Sequence, residues 1–327
     1  MADDKPAALF IGPPKKDIQA GLAAEFTVHS VETPDRLDDA TLARLAPHLR
    51  FVAVGGHPGR ADSALMQRLG KLEIVANFGV GYDNVDAKWA AANGIIVTNT
   101  PDVLNEEVAD TALGLLLCTV RELPRAERYL RSGEWARKGD YRLTASLRDR
   151  TVGLVGLGRI GRVIADRLAA MKVPVVYHSR RPKPDAPYRY YASLLEMARA
   201  VDVLLTIVPG GAETRHMINT EVLEALGPNG IFINMARGSV VDEQALVEAL
   251  KTGKILSAGL DVFANEPHVP QELVEMDHVV LTPHVGSASE ATRRAMEQLV
   301  VDNLVNWKYG RPPLTPVPET PWPRRGG

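Results

Sequence analysis

Short apolar runs alternate with amphipathic stretches along almost the whole chain. In the first hundred residues this pattern predicts short strands separated by helices. Strands are predicted at Ala7–Ile11, Phe26–Val28, Phe51–Val54, Ile74–Asn77 and Ile95–Thr98, and helices at Ser63–Leu69 and Ala87–Ala92. Such alternation is typical of a parallel sheet covered by helices, so we expect a small α/β domain at the N-terminus.

A long helix from about Asn105 to Leu123, followed by a helical stretch at Arg125–Arg131, is expected to lead into a second α/β series. Its first turns carry acidic residues, which suit the positive end of the helix dipole. Strands are then predicted at Thr151–Val155, Val173–His178, Val203–Ile207, Ile231–Asn234, Ser257–Leu260 and Val279–Leu281, and helices at Ile160–Met171, Ser193–Ala198 and Glu290–Trp307. We therefore predict two α/β domains with doubly wound parallel sheets, formed by residues 1–99 with 288–327 and by residues 100–287.

Composition places the chain among ordinary globular proteins. Its 327 residues suffice for two domains, and a formal net charge of −2 provides no overall attraction to nucleic acid or to an acidic membrane. The single cysteine, Cys118, cannot form an internal disulfide, which fits a reducing compartment. Acidic residues near the N-terminus and the lack of a long uncharged apolar stretch predict a cytoplasmic protein. The proline-rich tail, Pro312 to Gly327, is expected to be extended or disordered.

A glycine-rich turn, with Gly156, Gly158 and Gly161, follows the first strand of the second series and precedes a helix. This context distinguishes a dinucleotide-binding fingerprint from an ordinary turn. Gly156 would allow the tight turn, Gly158 the close approach of the backbone to a pyrophosphate, and Gly161 the contact between strand and helix. The start of the helix, with Arg159 and Ile160, would present free N–H groups to the phosphates.

The residues after the next strand indicate which dinucleotide binds. NAD sites usually place an acidic residue there to accept a hydrogen bond from the ribose 2′-hydroxyl. Here His178 is followed by Ser179, Arg180 and Arg181, with no acidic residue before Asp185. A hydroxyl and two guanidinium groups would attract a 2′-phosphate, so we expect NADP(H) rather than NAD(H). The alternative is that the two arginines belong to a solvated loop.

Three chemically active side chains follow three separate strands: Arg237, Glu266 and His284. The carboxyl ends of parallel strands share one edge of a sheet, so these residues can converge. This set suits hydride reduction of a 2-oxoacid, in which an imidazolium supplies the proton and a carboxylate orients it. The arginine would hold the substrate carboxylate and polarise the carbonyl. Taken singly, each has another explanation: a structural ion pair, a surface glutamate or a helix-capping histidine.

The chain resembles the D-isomer-specific 2-hydroxyacid dehydrogenase family in four segments, in this order: Gly156–Gly161, Asn234–Glu243, Asp261–Pro267 and Pro283–Ser287. The resemblance covers nearly the whole chain apart from the proline-rich tail. Within the family, three segments resemble the NADPH-using glyoxylate/hydroxypyruvate reductases: Asn77–Asp83, Asn99–Leu104 and Ser179–Arg181. The resemblance implies a Rossmann-like and a flavodoxin-like domain with a cleft between them, and a homodimer formed through the cofactor domain.

The resemblance also implies roles for further residues. Backbone N–H groups of Val80 and Gly81 would bind the substrate carboxylate, and a glycine-flanked loop after a strand is physically suited to an anion. Residues expected around the nicotinamide are Val208, Pro209, Met235, Ala236 and Asp261, the last bonded to the carboxamide. Trp135 resembles an aromatic residue that reaches the partner's pocket, although a local packing role is equally reasonable. His57 receives no role.

The expected function is NADPH-dependent reduction of glyoxylate and hydroxypyruvate to glycolate and D-glycerate. Reduction of 2-ketogluconate or hydroxyphenylpyruvate is the alternative within the family. A dinucleotide-sensing corepressor is a remote alternative, because no basic DNA-binding element or peptide-docking extension is evident. We expect no metal, since the remaining histidines show no ligand spacing, and no nucleic-acid or membrane partner.

Overall fold

The computed structural model describes residues 5–323. The chain forms two compact units, one comprising Met1–Leu104 with Ser289–Gly327 and the other Asn105–Ala288. The domain boundaries predicted at residues 99 and 288 lie within a few residues of these bounds. Both units are α/β with an all-parallel sheet, which confirms the predicted fold class.

Unit 1 contains a five-stranded sheet in the order β2-β1-β3-β4-β5, the order of flavodoxin-like folds. Its strands are β1 (Ala7–Ile11), β2 (Thr27–Val31), β3 (Phe51–Val54), β4 (Ile74–Asn77) and β5 (Ile96–Thr98). Its helices are α1 (Lys16–Glu25), α2 (Asp39–Leu45), α3 (Ser63–Arg68), α4 (Ala87–Ala92) and, near the C-terminus, α13 (Glu290–Lys308). Strands β3 and β4 are buried along their whole length, which explains why they are apolar runs rather than alternating ones.

Three helices of unit 1 begin in the same way. The carboxylates of Asp38, Asp62 and Asp86 accept hydrogen bonds from backbone N–H groups three residues ahead, at the starts of α2, α3 and α4. These bonds satisfy donors that a helix cannot satisfy internally. The aspartates therefore determine where the short helices start and hold the intervening loops.

The proline-rich tail, predicted to be extended or disordered, is ordered over its described part and forms no helix there. It contacts β5, where the N–H of Val317 donates to the carbonyl of Val97 at 2.9 Å. The N–H of Val97 in turn donates to Oγ1 of Thr320 at 2.9 Å, and Val317 is only 1% exposed. Strand β5 thus gains partners at the edge of the sheet. The last four residues of the tail, 324–327, lie outside the described part of the chain.

Unit 2 contains a seven-stranded sheet in the order β12-β11-β10-β9-β6-β7-β8. The strands are β6 (Val152–Val155), β7 (Val175–His178), β8 (Arg189–Tyr191), β9 (Val203–Thr206), β10 (Ile231–Asn234), β11 (Ser257–Leu260) and β12 (Val280–Leu281). The chain runs outward from β6 in one direction and then, from β9, in the other. This is the doubly wound order of dinucleotide-binding folds, in which ligands bind beyond the carboxyl ends near the switch point between β6 and β9.

The helices of unit 2 are α5 (Asn105–Val120), α6 (Leu123–Arg131), α7 (Glu134–Lys138), α8 (Arg159–Ala170), α9 (Leu194–Ala200), α10 (Thr220–Leu226), α11 (Glu243–Lys251) and α12 (Gln271–Glu275). The long helix predicted to reach Leu123 ends at Val120, because Glu122 adopts a left-handed conformation with φ of 50°. Among residues 5–323, no helix is long and apolar enough to span a membrane.

Candidate active site

Unit 2 brings the three predicted catalytic residues to one edge of its sheet. Strands β10, β11 and β12 are neighbours and parallel. Arg237, Glu266 and His284 follow these three strands in turn. The convergence expected from the sequence is therefore present within this unit.

His284 and Glu266 form a direct pair, with 2.8 Å between Nδ1 of the imidazole and Oε2 of the carboxylate. The other carboxylate oxygen accepts a hydrogen bond from the N–H of Phe263 at 3.1 Å. Burial by itself would raise the pKa of Glu266, but the hydrogen bond and charge of His284, with the Phe263 N–H and the Arg237 charge, outweigh it and lower the pKa. Glu266 is therefore ionised at neutral pH, and Nδ1 of His284 donates to it.

The backbone of His284 is left-handed, with φ of 52°. Two hydrogen bonds hold this turn, since the N–H of His284 reaches the carbonyls of Asp261 at 2.8 Å and Thr282 at 3.0 Å. The side-chain carboxylate of Asp261 also binds this loop. It accepts from Oγ1 of Thr282 at 2.7 Å, from the N–H of Val285 at 2.8 Å and from the N–H of Gly286 at 2.9 Å.

Asp261 makes contacts that the sequence did not predict. Its side chain is 2% exposed, and the three donors named above all lie in the 282–286 loop. The predicted bond to the nicotinamide carboxamide stays a prediction. Sequence reasoning missed the loop-holding contacts, although an aspartate directly after a buried strand was a signal for them.

Arg237 follows β10 in an ordered turn. Asn234 supports this turn, because its Nδ2 donates to the carbonyl of Arg237 at 3.1 Å and its Oδ1 accepts from the N–H of Ala236 at 3.0 Å. Nη1 of Arg237 donates to the carbonyl of Ala236 at 2.9 Å, and the guanidinium is close enough to lower the pKa of Glu266. The guanidinium, carboxylate and imidazole thus form one electrostatic group.

The glycine-rich turn after β6 has the geometry of a phosphate-binding loop. Gly156 has φ of 105°, and a Cβ there would lie 2.7 Å from the carbonyl oxygen of Ile207. A Cβ on Gly161 would lie 2.3 Å from the carbonyl oxygen of Gly156, so α8 packs against the turn. A Cβ on Gly158 would meet no atom within 4 Å, which leaves open space at the start of α8. Binding of a pyrophosphate here, next to the N–H groups around Arg159 and Ile160, stays a prediction.

Side-chain hydroxyls bind the backbone of the loop expected to select the 2′-phosphate. Oγ of Ser179 donates to the carbonyl of Arg181 at 2.7 Å, and the hydroxyl of Tyr190 donates to the carbonyl of Ser179 at 3.2 Å. Asp185, the first acidic residue after β7, is paired with Arg162 at 2.8 Å. The hydrogen bond from Arg162 lowers the pKa of Asp185. The predicted binding of a 2′-phosphate by residues 179–181 stays a prediction.

In unit 1, the loop after β4 turns its carbonyl groups toward the protein. The carbonyl of Gly79 accepts from the N–H of Thr100, that of Val80 from Nδ2 of Asn99 at 2.9 Å, and that of Gly81 from Nδ2 of Asn77 at 3.0 Å. Within residues 5–323, the N–H groups of Val80 and Gly81 have no hydrogen-bond acceptor. These two donors fit the predicted binding of a carboxylate.

The remaining predicted residues fall into two groups. Four lie after strands β9 and β10, at the carboxyl edge of the unit 2 sheet: Val208, Pro209, Met235 and Ala236. Trp135 and His57 are exposed, the former on α7 and the latter in the loop after β3. Over the described residues, no cluster of three or more histidine, cysteine, aspartate or glutamate side chains is arranged to hold a metal ion.

Known proteins share sequence with most of this chain. Residues 113–286 match the family described as D-isomer specific 2-hydroxyacid dehydrogenase, NAD binding domain. The chain is 47% identical over 264 residues to glyoxylate/hydroxypyruvate reductase A of Arabidopsis thaliana, covering 81% of this chain and 84% of that protein. It is also 47% identical over 276 residues to a hydroxyphenylpyruvate reductase of Plectranthus scutellarioides, covering 84% of this chain and 88% of that protein.

A solved structure extends the similarity to nearly the full length. The NADPH-dependent glyoxylate/hydroxypyruvate reductase of Sinorhizobium meliloti, in complex with NADP and malonate, is 50% identical and superposes with a TM-score of 0.92. The match covers 99% of this chain and 100% of that one. The chain therefore belongs to the D-isomer specific 2-hydroxyacid dehydrogenase family.

Proposed function

We propose that this protein uses NADPH to reduce glyoxylate and hydroxypyruvate to glycolate and D-glycerate. The observation that carries the proposal is the 2.8 Å pair of His284 and Glu266, on the loop beside Arg237, at the edge of a sheet that also carries a dinucleotide fingerprint. The similarity to the reductases from Arabidopsis and Sinorhizobium supports this choice of substrates.

His284 and Glu266 have separate roles in the proposed carbonyl reduction. Negative charge develops on the carbonyl oxygen and must be neutralised by a proton. NADPH, when bound, supplies the hydride. Nδ1 of His284 is engaged by Glu266, so Nε2 is the ring atom that holds the proton for the substrate oxygen. Glu266 balances the imidazolium charge until that proton leaves.

Substrate orientation is assigned to two sets of donors. A guanidinium is a planar cation with several N–H donors, so Arg237 can bind the substrate carboxylate and stabilise charge on the carbonyl oxygen. In unit 1, binding of a carboxylate by the N–H groups of Val80 and Gly81 stays a prediction. For the cofactor, the turn from Gly156 to Gly161 would hold the pyrophosphate, and residues 179–181 would hold the 2′-phosphate.

A second candidate substrate is hydroxyphenylpyruvate. It is supported by the 47% identity to the Plectranthus hydroxyphenylpyruvate reductase, which equals that to the Arabidopsis enzyme. The catalytic residues would serve both substrates equally, because both are 2-oxoacids. The difference lies only in the substituent on the carbonyl carbon.

A panel of glyoxylate, hydroxypyruvate and hydroxyphenylpyruvate, each assayed with NADPH and with NADH, tests the proposal. We expect higher kcat/KM with NADPH, the two small substrates to be preferred, and D-glycerate as the product from hydroxypyruvate. His284→Ala should lower kcat by about a hundredfold or more, the scale of general-acid catalysis. Replacement of the exposed His48 by Ala is the matched control. Equal use of NADH, or near-normal turnover by His284→Ala, would refute the proposal.

We also propose that the chain forms a homodimer through unit 2. Support comes from large apolar side chains exposed along residues 123–143, at Leu123, Leu130, Trp135 and Leu143. Clustered exposure of this kind is typical of protein interfaces. Light scattering on the purified protein should give the mass of two chains, and Leu130→Asp should shift it toward one. A monomeric wild-type protein would contradict this. A cytoplasmic location stays a prediction.

A further inference from the structure

An ion pair crosses the region where the adenosine end of the cofactor is expected. Nη1 of Arg180 lies 2.9 Å from Oε2 of Glu213. Arg180 follows β7 and Glu213 follows β9, and these two strands flank β6 on either side. The pair therefore reaches across the carboxyl end of β6, where the glycine-rich turn begins.

We propose that Glu213 limits the affinity for NADPH by competing with the 2′-phosphate for Arg180. This inference rests on the proposed function, in which residues 179–181 bind that phosphate. It adds a specificity-determining residue from a different loop. Its effect is confined to NADPH, since NADH has no 2′-phosphate.

The ion pair of Arg180 and Glu213 can be displaced by a ligand at little cost to the stability of the fold. The side chains of Arg180 and Glu213 are 88% and 76% exposed, and ion pairs this exposed contribute little to folding. A guanidinium binds a phosphate through several N–H groups at once, and one end of this guanidinium is already engaged by a carboxylate. The negative charge of Glu213 would also repel a 2′-phosphate held by Arg180.

The backbone around Glu213 allows the pair to open without unfolding. Residues 209–214 form a turn of their own, in which Oγ1 of Thr214 donates to the carbonyl of Pro209 at 2.7 Å. The N–H of Thr214 also donates to the carbonyl of Gly211 at 3.1 Å. The turn thus stays closed while the Glu213 side chain rotates into solvent. Arg180 is then released to the phosphate.

Arg181 provides the contrast within the same loop. Its side chain is exposed and makes no hydrogen bond or ion pair with any residue from 5 to 323. Arg181 can bind the phosphate without first breaking another interaction. Arg181 is therefore expected to contribute to NADPH binding whether or not Glu213 is present.

The test is a comparison of dissociation constants for NADPH and NADH, measured by cofactor fluorescence on the full chain. We expect Glu213→Gln to tighten NADPH binding about three- to tenfold, the scale of one exposed charge contact, and to leave NADH unchanged. In an Arg180→Ala background, the same substitution should have a much smaller effect on NADPH. Glu272→Gln is the matched control, because it removes a carboxylate from another exposed ion pair of unit 2, with Lys251.

The outcomes separate this inference from the proposed function. NADPH binding that is unchanged or weaker in Glu213→Gln, while Arg181→Ala weakens NADPH selectively, would overturn the competition and leave the phosphate site standing. An equal gain for NADH and NADPH would also overturn it, since the effect would not involve the 2′-phosphate. If Arg180→Ala and Arg181→Ala both leave NADPH binding intact, the phosphate site and the inference fail together.

Discussion

Two regions at the carboxyl edge of the unit 2 sheet differ in how firmly their side chains are held. Beyond β11 and β12, the predicted catalytic histidine lies on a loop held by a carboxylate that is 2% exposed and accepts three hydrogen bonds. Beyond β7 and β9, a largely exposed ion pair joins the predicted phosphate loop to the segment after β9. Proton transfer depends on positions within fractions of an ångström, whereas a phosphate can be met by side chains that rearrange.

The loop of residues 282–286 also contains a residue with an unfavourable backbone conformation, whereas the loop of residues 179–181 contains none. A left-handed backbone at a residue such as His284 costs about 1–3 kcal/mol, and it persists only where the surroundings enforce it. Asp261 supplies much of that enforcement. Gly286 allows the close approach, since a Cβ there would lie 3.1 Å from Oδ2 of Asp261.

Replacement of Asp261 by Asn should therefore have the largest effect among changes that leave the catalytic residues in place. The amide keeps one acceptor oxygen but sets an N–H group against a backbone donor of the loop. We expect kcat to fall about ten- to a hundredfold, because small displacements of a catalytic group cost that much. The free energy of unfolding should fall by about 1–3 kcal/mol. Steady-state kinetics and urea denaturation measure the two effects.

Asp202→Asn is the matched control for this variant. Asp202 also accepts a backbone N–H through its carboxylate, from Thr151 at 2.8 Å, but at the opposite edge of the same sheet. It should lose stability without a comparable loss of kcat. If Asp261→Asn instead weakens NADPH binding with kcat unchanged, the carboxylate acts on the nicotinamide alone, and the proposed contrast between the two loops is lost.

The sequence alone indicates candidate residues for the site, but it does not indicate the contacts that organise them. The glycine turn and the three predicted catalytic residues belong to local motifs, each formed by a strand and the residues that follow it. The contacts of Asp261 with the 285–286 backbone and of Arg180 with Glu213 join positions 24 to 33 residues apart. The tail contact between Val97 and Thr320 spans 223 residues. Such pairs depend on strand order, which no local pattern specifies.

Replacement of Glu266 by Gln should have a smaller effect than Asp261→Asn, because it changes the charge beside His284 and leaves the loop that positions His284 intact. His284 donates a hydrogen bond to Glu266 and lowers the pKa of its carboxyl group, so the two side chains form a charge-assisted pair. Glu266→Gln can keep a hydrogen bond to the ring but removes the charge. We expect kcat to fall about tenfold in steady-state kinetics, because the carboxylate charge beside the proton donor is lost.

The stability of the same variant should depend on pH. The pKa of Glu266 is lowered on folding, so its ionised form stabilises the chain above the ordinary titration range of a glutamate, and this contribution is lost as the pH falls through the lowered value. Glu266→Gln should therefore be less stable than the wild type at neutral pH and closer to it in acid. Glu243→Gln is the control, because Glu243 accepts from the N–H of Ala264 in the same loop. An equal loss of kcat and of stability in both variants would show that the loop, rather than the charge beside His284, supports the site.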